Sequence, residues 1–314
     1  MLRLLTLVLL LSGPLALRGA LAATDVWLDV DTAIGQPARD VDDGFALVMA
    51  LRSPGLAVRG VSATFGNGSL DTALSTTREV LDRFGAVTLP VHAGARAAAE
   101  LGLETPAVRA MAAALAERPL TLLALGPLTN VATLLRLHPE LHARIQRIVM
   151  VAGRRPGQRF AITPSHWHTF PDLNLELDTP AVAEVLATAV PLVLAPWELA
   201  HQVWVTPADL ERLRQANDGA AWLADRAQLW SGMWRWVLSA PGFNPFDTLA
   251  IGYVAHPELF ATEPVSLALE AGRLVARPAT GPARATWCSR ALDGFHELLL
   301  RSLEGAPDQR ALAP

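Results

Sequence analysis

The stretch Asp29-Val-Asp31-Thr-Ala-Ile-Gly-Gln-Pro-Ala-Arg-Asp40-Val-Asp42-Asp43-Gly-Phe-Ala-Leu follows the apolar run Val26-Trp27-Leu28 and crowds its acidic side chains into one turn. The run reads as a buried first strand. Asp42 or Asp43 then starts a helix through Phe45 to Leu51, which Ser53-Pro54-Gly55 stops. Carboxylates gathered at a strand end repel one another, and in a partly dry cleft that repulsion raises their pKa values unless a cation offsets it. A hard divalent ion with oxygen ligands is therefore expected, with Asp31 and Asp43 reaching it from the two sides of the turn. Any single aspartate here can instead be a helix cap or a solvated loop residue, and Asp40 is read that way.

Outward from this turn, apolar runs and helical patterns alternate. Leu56 to Ala63, Val87 to Val91, Thr121 to Leu125 and Ile145 to Val151 read as strands. Thr72 to Phe84, Val108 to Glu117 and Leu128 to Leu137 read as helices. The alternation predicts an α/β fold: an open, mostly parallel (mixed) sheet with helices on both faces. Ligands of such sheets bind outside the C-terminal strand ends, where the aspartates, the Thr64 to Gly68 loop and the Leu125-Gly126 turn all fall. Gly153 to Pro171 is rich in Gly, Pro and His without periodicity and reads as a loop beside that cleft. Trp222, Trp230, Trp234 and Trp236 lie in a helical stretch ending before Pro241, and most are expected in the core.

Composition bounds the function. Apolar types make up 51% of the 314 residues and charged types 18%, as in a globular enzyme-like body. The net charge of −4, with 26 arginines and no lysine, gives no attraction for a nucleic-acid backbone. The single Cys288 excludes an internal disulfide. Arg3, the apolar Leu4 to Leu11, and Ala20-Leu21-Ala22 form a secretory leader pattern. Residues 1–22 are accordingly expected to be removed, leaving residues 23–314 as a single domain with a frayed tail after about residue 304, exported to the periplasm or secreted and with no stable membrane insertion.

Asp29-Val-Asp31 with Asp42-Asp43-Gly-Phe-Ala-Leu is followed by Thr64-Phe-Gly-Asn67, Leu125-Gly-Pro-Leu-Thr-Asn130, Asp172-Leu-Asn174-Leu-Glu-Leu-Asp178, Trp197-Glu-Leu-Ala-His201-Gln and Phe246-Asp247-Thr-Leu-Ala. In these motifs and their order the chain resembles the nucleoside hydrolase family, the N-ribosyl hydrolases acting on inosine, uridine and similar nucleosides. The resemblance implies Ca2+ held by Asp31, Asp43, the main-chain carbonyl of Leu125 and Asp247, with Asp31 as the base for the attacking water. It further implies that Asp42, Asn67 and Asn174 bind the ribose hydroxyls, with Asp172 standing where the family usually has glutamate. Family members are usually dimers or tetramers, so a homodimer or homotetramer is expected.

Two departures stand out. Purine-type members often place a histidine before the last metal aspartate, where it protonates the leaving base, but this chain has Phe246. His166, His168 and His201 are the alternative donors, and the aromatics Trp230 and Trp234 are candidates for contacting the base. Gln36 to Arg39 also lengthen the opening turn, which suits a bulge containing Gly35 and Pro37. Two rival readings remain at this point. One is a binder of ribose-containing ligands that has lost turnover; the other is a metal-dependent phosphatase built on Asp29-x-Asp31, which lacks the lysine it would want.

Overall fold

A computed structural model describes residues 23–162, 166 and 168–305. The expected leader and the tail from residue 306 lie outside the described residues. In chain order the elements are β1 (Thr24–Val30), α1 (Asp42–Arg52), β2 (Leu56–Ala63), α2 (Leu70–Arg83), β3 (Val91–Ala93), α3 (Pro106–Glu117), β4 (Leu120–Ala124), α4 (Thr129–Leu137) and β5 (Ile145–Met150). There follow α5 (Leu173–Glu176), α6 (Thr179–Ala187), β6 (Leu192–Leu194), α7 (Trp197–Ala200), α8 (Pro207–Ala216), α9 (Asp218–Leu238) and α10 (Phe246–Ala255). The chain closes with β7 (Phe260–Glu270), β8 (Arg273–Pro278), β9 (Ala285–Ala291) and α11 (Phe295–Glu304).

The nine strands form one sheet in the order β3-β2-β1-β4-β5-β6-β9-β7-β8. β1 to β6 and β9 run parallel, and β7 is antiparallel to both of its neighbours. The α/β expectation with a mostly parallel, mixed sheet is met. A strand buried on both faces needs apolar side chains in both directions. β1 shows this: Val26, Leu28 and Val30 join the core formed with α1, α9, α10 and α11, while Trp27 joins the core formed with α3, α4 and α6. The chain steps from β1 to β2 and β3 on one side, then crosses back past β1 to β4 on the other. That reversal opens a crevice at the C-terminal ends of β1 and β4.

Two local expectations need correction. The strand expected over Val87 to Val91 begins only at Val91; Val87 is exposed and Leu89 closes a turn by donating to the Ala86 carbonyl. Of the four tryptophans, Trp234 is buried, Trp222 and Trp230 pack partly buried against the core, and Trp236 is 81% exposed. Helical geometry explains the split, since positions 230 and 234 share a face and position 236 points away from it. Among the described residues no helix is long and apolar enough to cross a membrane.

Helix α10 is held down by Phe295 of α11, and a Cβ built on Gly252 would stand 2.2 Å from that ring. Ala normally stabilises a helix interior relative to Gly by about 1 kcal/mol, but here overpacking against a buried phenyl costs roughly 1 to 3 kcal/mol. Gly252→Ala is therefore expected to destabilise the protein, read as a lower urea midpoint; a raised midpoint would refute this packing account.

Candidate active site

β1, ending at Val30, delivers Asp31 to the crevice, and the chain then leaves in an exposed bulge. Gln36 to Arg39 are solvent-facing, with Gly35 and Ala38 at positive φ. The bulge leaves both of its ends in place, because the Asp31 amide donates to Asp43 Oδ1 at 3.2 Å. Asp40 Oδ1 accepts the amides of Val41 at 2.7 Å and Asp42 at 3.4 Å, so it braces the chain entering α1, whose N-cap position, Val41, has no side-chain cap. It is not a solvated loop residue, however. Asp40 lines the same cleft as the other aspartates, and burial followed by the facing charge of Asp42 pushes its carboxyl well above the usual range.

The N-termini of α1 and α10 converge. Carboxylate oxygens of Asp42 and Asp43, in the first turn of α1, and of Asp247, in the first turn of α10, all lie within 4.8 Å of one another. Asp31 joins this group through Asp43. Burial raises Asp31 to about 7 and Asp42 to about 6, and it carries Asp43 and Asp247 well above the usual carboxylate range; Asp31, Asp43 and Asp247 are pushed further by the charges of neighbouring aspartates. Desolvated carboxylates at this spacing are a hard-oxygen donor set that fits a divalent cation, whose charge offsets the repulsion. The tightest trio contains Asp42, whereas the sequence reading gave Asp42 to the sugar and Asp31 to the ion.

Two glycines make room for Asp31. A Cβ on Gly66, which sits at φ +145°, would stand 2.0 Å from Asp31 Oδ2, and one on Gly126 would stand 3.1 Å from its Cγ. In the same loop the Asn67 amide donates to Asp31 Oδ2 at 2.6 Å. The Asn67 side chain clasps the Asp40 main chain, accepting from its nitrogen at 3.0 Å and donating to its carbonyl at 2.9 Å. Leu125, just past β4, presents its carbonyl to the cleft, where Asn174 Nδ2 donates to it at 2.7 Å and to the Val151 carbonyl at 3.2 Å. Asp172 accepts the Gly153 amide at 2.8 Å and is raised to about 6 by burial. Every residue assigned from sequence to the metal or the sugar thus lines one cleft.

The opposite wall is aromatic. It is made by Phe160, Phe170, Trp197, Trp230, Trp234 and Phe246. Trp197 stacks on Phe160 with centroids 4.9 Å apart and planes 8° apart, and lies 5.3 Å from Phe246; Phe170 is parallel to Trp234 at 6.2 Å. Trp230 and Trp234 are where the sequence reading put base contacts. The three histidines are not. His201 stacks behind Trp197 and faces Asn244, His168 meets the edge of Phe170, and His166 lies against the His168 main chain; none lines the cleft. Phe160 and the wall-forming role of Trp197 escaped the sequence reading, since a loop phenylalanine and a tryptophan opening a four-residue helix carry no periodic signal.

The family model described as inosine-uridine preferring nucleoside hydrolase matches residues 26–293. Pyrimidine-specific ribonucleoside hydrolase RihA of Klebsiella pneumoniae (strain 342) is 32% identical over 252 residues, covering 70% of this chain and 78% of that protein. Its counterpart in Salmonella typhimurium is 30% identical over 253 residues, with 70% and 78% covered. Among solved structures, the purine-preferring ribonucleoside hydrolase from Gardnerella vaginalis superposes with a TM-score of 0.78 at 18% identity, covering 90% of this chain and 98% of that one. The plant nucleoside hydrolase PpNRh1 gives 0.74 at 20% identity, with 93% and 99% covered. At those identities the two structures speak for the fold.

The raised carboxyls fix the sign of the pH dependence. Between the unfolded-state value of about 4 and folded-state values of about 6 and 7, the folded chain holds protons that the unfolded chain has released, so stability falls as pH rises through that window. In chelator the melting temperature should drop from pH 5 to pH 8. Saturating calcium should raise it more at pH 8, where the ligands are ionised. A melting temperature that rises with pH in chelator, or an equal calcium effect at both pH values, would contradict this electrostatic account.

Proposed function

As the chain is a member of the inosine-uridine preferring nucleoside hydrolase family, and so an N-glycosidase acting on nucleosides, we propose that its cleft binds the ribose over a calcium ion held by Asp31, Asp43, Asp247 and the Leu125 carbonyl. The observation that carries this reading is the convergence of all the expected sugar and metal residues on one crevice, with Asp43 and Asp247 in the same tight trio. Bound calcium orients ribose hydroxyls and increases the acidity of the attacking water. Asp31, seated between Gly66 and Gly126, takes the proton from that water. Asp42, Asn67, Asp172 and Asn174 hold the hydroxyls, so that C1′ is presented to the water with little freedom left to lose. As the glycosidic bond lengthens, C1′ gains positive charge, and the surrounding carboxylates stabilise that state more than the neutral substrate.

The phosphatase alternative loses ground because the described lining contains no Arg or Lys to meet a phosphate. Release of free base from a nucleoside panel separates a hydrolase from a silent binder. The leader pattern supports export, and the resemblance supports a homodimer or homotetramer.

Asp31→Asn and Asp43→Ala are expected to lower kcat by about 10²- to 10³-fold or more, the size of losing one well-placed electrostatic group. Asp40→Asn should be mild, because an amide oxygen can still accept the Val41 and Asp42 amides. Near-normal turnover by Asp31→Asn would remove it as the base. Phe246→His is expected to raise turnover on purine nucleosides and leave p-nitrophenyl riboside unchanged; the reverse pattern would reject a missing leaving-group donor.

A further inference from the structure

We propose that this cleft selects ribosides whose base carries a fixed positive charge, with N-ribosylpyridinium compounds as the leading class. The proposal deepens the nucleoside hydrolase reading and rests on it. Two features of the cleft point the same way. The aromatic side of the lining includes Trp230, Trp234 and Phe246, rings of the kind that attract a cation through their negative quadrupoles, and Trp197 backs them, itself stacked on Phe160 and His201. The lining also carries six aspartates, at positions 31, 40, 42, 43, 172 and 247, whose carboxyl oxygens favour positive over negative charge beside them. The nearby wall already shows a cation on a ring: the Arg154 guanidinium lies 4.1 Å from the Phe160 centroid, outside the lining.

The leaving group makes the same demand. Among the described residues the lining contains no histidine, arginine, lysine or tyrosine. A neutral purine or pyrimidine departs as an anion unless it is protonated, and an anion next to this carboxylate field is disfavoured. A ribosylpyridinium needs no proton. Water forms the C1′–O bond, the C1′–N bond breaks, and its electron pair returns to the ring nitrogen, cancelling the positive charge. The water's proton passes to Asp31 and on to solvent, so the products are ribose, a neutral pyridine and one proton.

The test compares kcat/KM of the calcium-loaded enzyme on N-ribosylnicotinamide, uridine, inosine and p-nitrophenyl riboside. The pyridinium riboside is expected to exceed uridine and inosine by about tenfold or more. Trp230→Leu and Trp234→Leu should cut the pyridinium rate roughly tenfold, the size of one to two cation–π contacts, and the nitrophenyl rate much less. Calorimetric titration of the wild-type protein with N-methylnicotinamide cation and with neutral nicotinamide gives a readout independent of turnover and of how the variants fold; the cation should bind about tenfold tighter. Uridine or inosine cleaved as fast as the pyridinium riboside, or equal affinity for the two amides, overturns the charge selectivity and leaves the hydrolase reading standing. Failure to cleave any of the four substrates overturns the hydrolase reading and this proposal with it.

Discussion

Mutual repulsion among the buried aspartates is the constraint around which the molecule is built. Two unit charges 4.8 Å apart cost about 3 kcal/mol at an effective dielectric of 20, and the trio contains three such pairs. The fold tolerates this because Asp42, Asp43 and Asp247 all sit in first helical turns, where the unpaired amides and the helix dipole favour negative charge. The remainder of the repulsion appears as carboxyls raised far above their ordinary values. A site that holds protons so readily in the absence of an ion is one in which proton and divalent cation compete for the same oxygens.

The sheet supplies the rigidity that such crowding requires. Asp29, two residues before Asp31, never reaches the cleft. Its side chain accepts from Ser62 and Asn130, and its main-chain carbonyl accepts the amides of Leu125 and Gly126. Asn130 in turn accepts the Ala95 amide, and Thr129 beside it donates to Asp178. The buried aspartate therefore ties the ends of β1, β2 and β4 together. That fastening fixes the strand ends that bring Asp31 and Leu125 to the cleft lining, so the Asp-x-Asp pair divides into one structural and one cleft-lining carboxylate.

Much of the first half of the chain was legible because each apolar run there is bounded by residues with a specific backbone preference. Ser53-Pro54-Gly55 stops α1 and Gly126-Pro127 ends β4, and the observed boundaries follow them closely. The C-terminal third gave no comparable reading. Its β7–β8 hairpin turns on Ala271-Gly272, both at positive φ, where the recognisable residues would be Asn or Asp before Gly, and β7 carries Pro264. In the site, the acidic and amide residues were legible because their chemistry is local to short motifs. The aromatic wall was not, because Phe160, Trp197 and Phe246 come from three separate segments and look like core until Phe170 is brought back to Phe160, donating its amide to the Phe160 carbonyl. Histidines attract a reader looking for proton donors, yet packing turned all three toward the backs of those rings or toward main chain.

The two walls of the cleft constrain the chemistry jointly. Carboxylates that stabilise positive charge at C1′ must, by the same field, raise the energy of negative charge developing on the departing base a few ångströms away. An apolar aromatic wall sharpens that penalty, since it offers no hydrogen-bond donor of useful acidity and lowers the local dielectric. The site is therefore well suited to a bond that breaks toward a neutral leaving group and poorly suited to one that breaks toward an anion. A histidine at position 246 relieves this conflict by donating a proton. With phenylalanine there, the base must arrive protonated, take its proton from water, or carry its positive charge from the outset, and the last of these draws on the aromatic rings without needing a proton from any source.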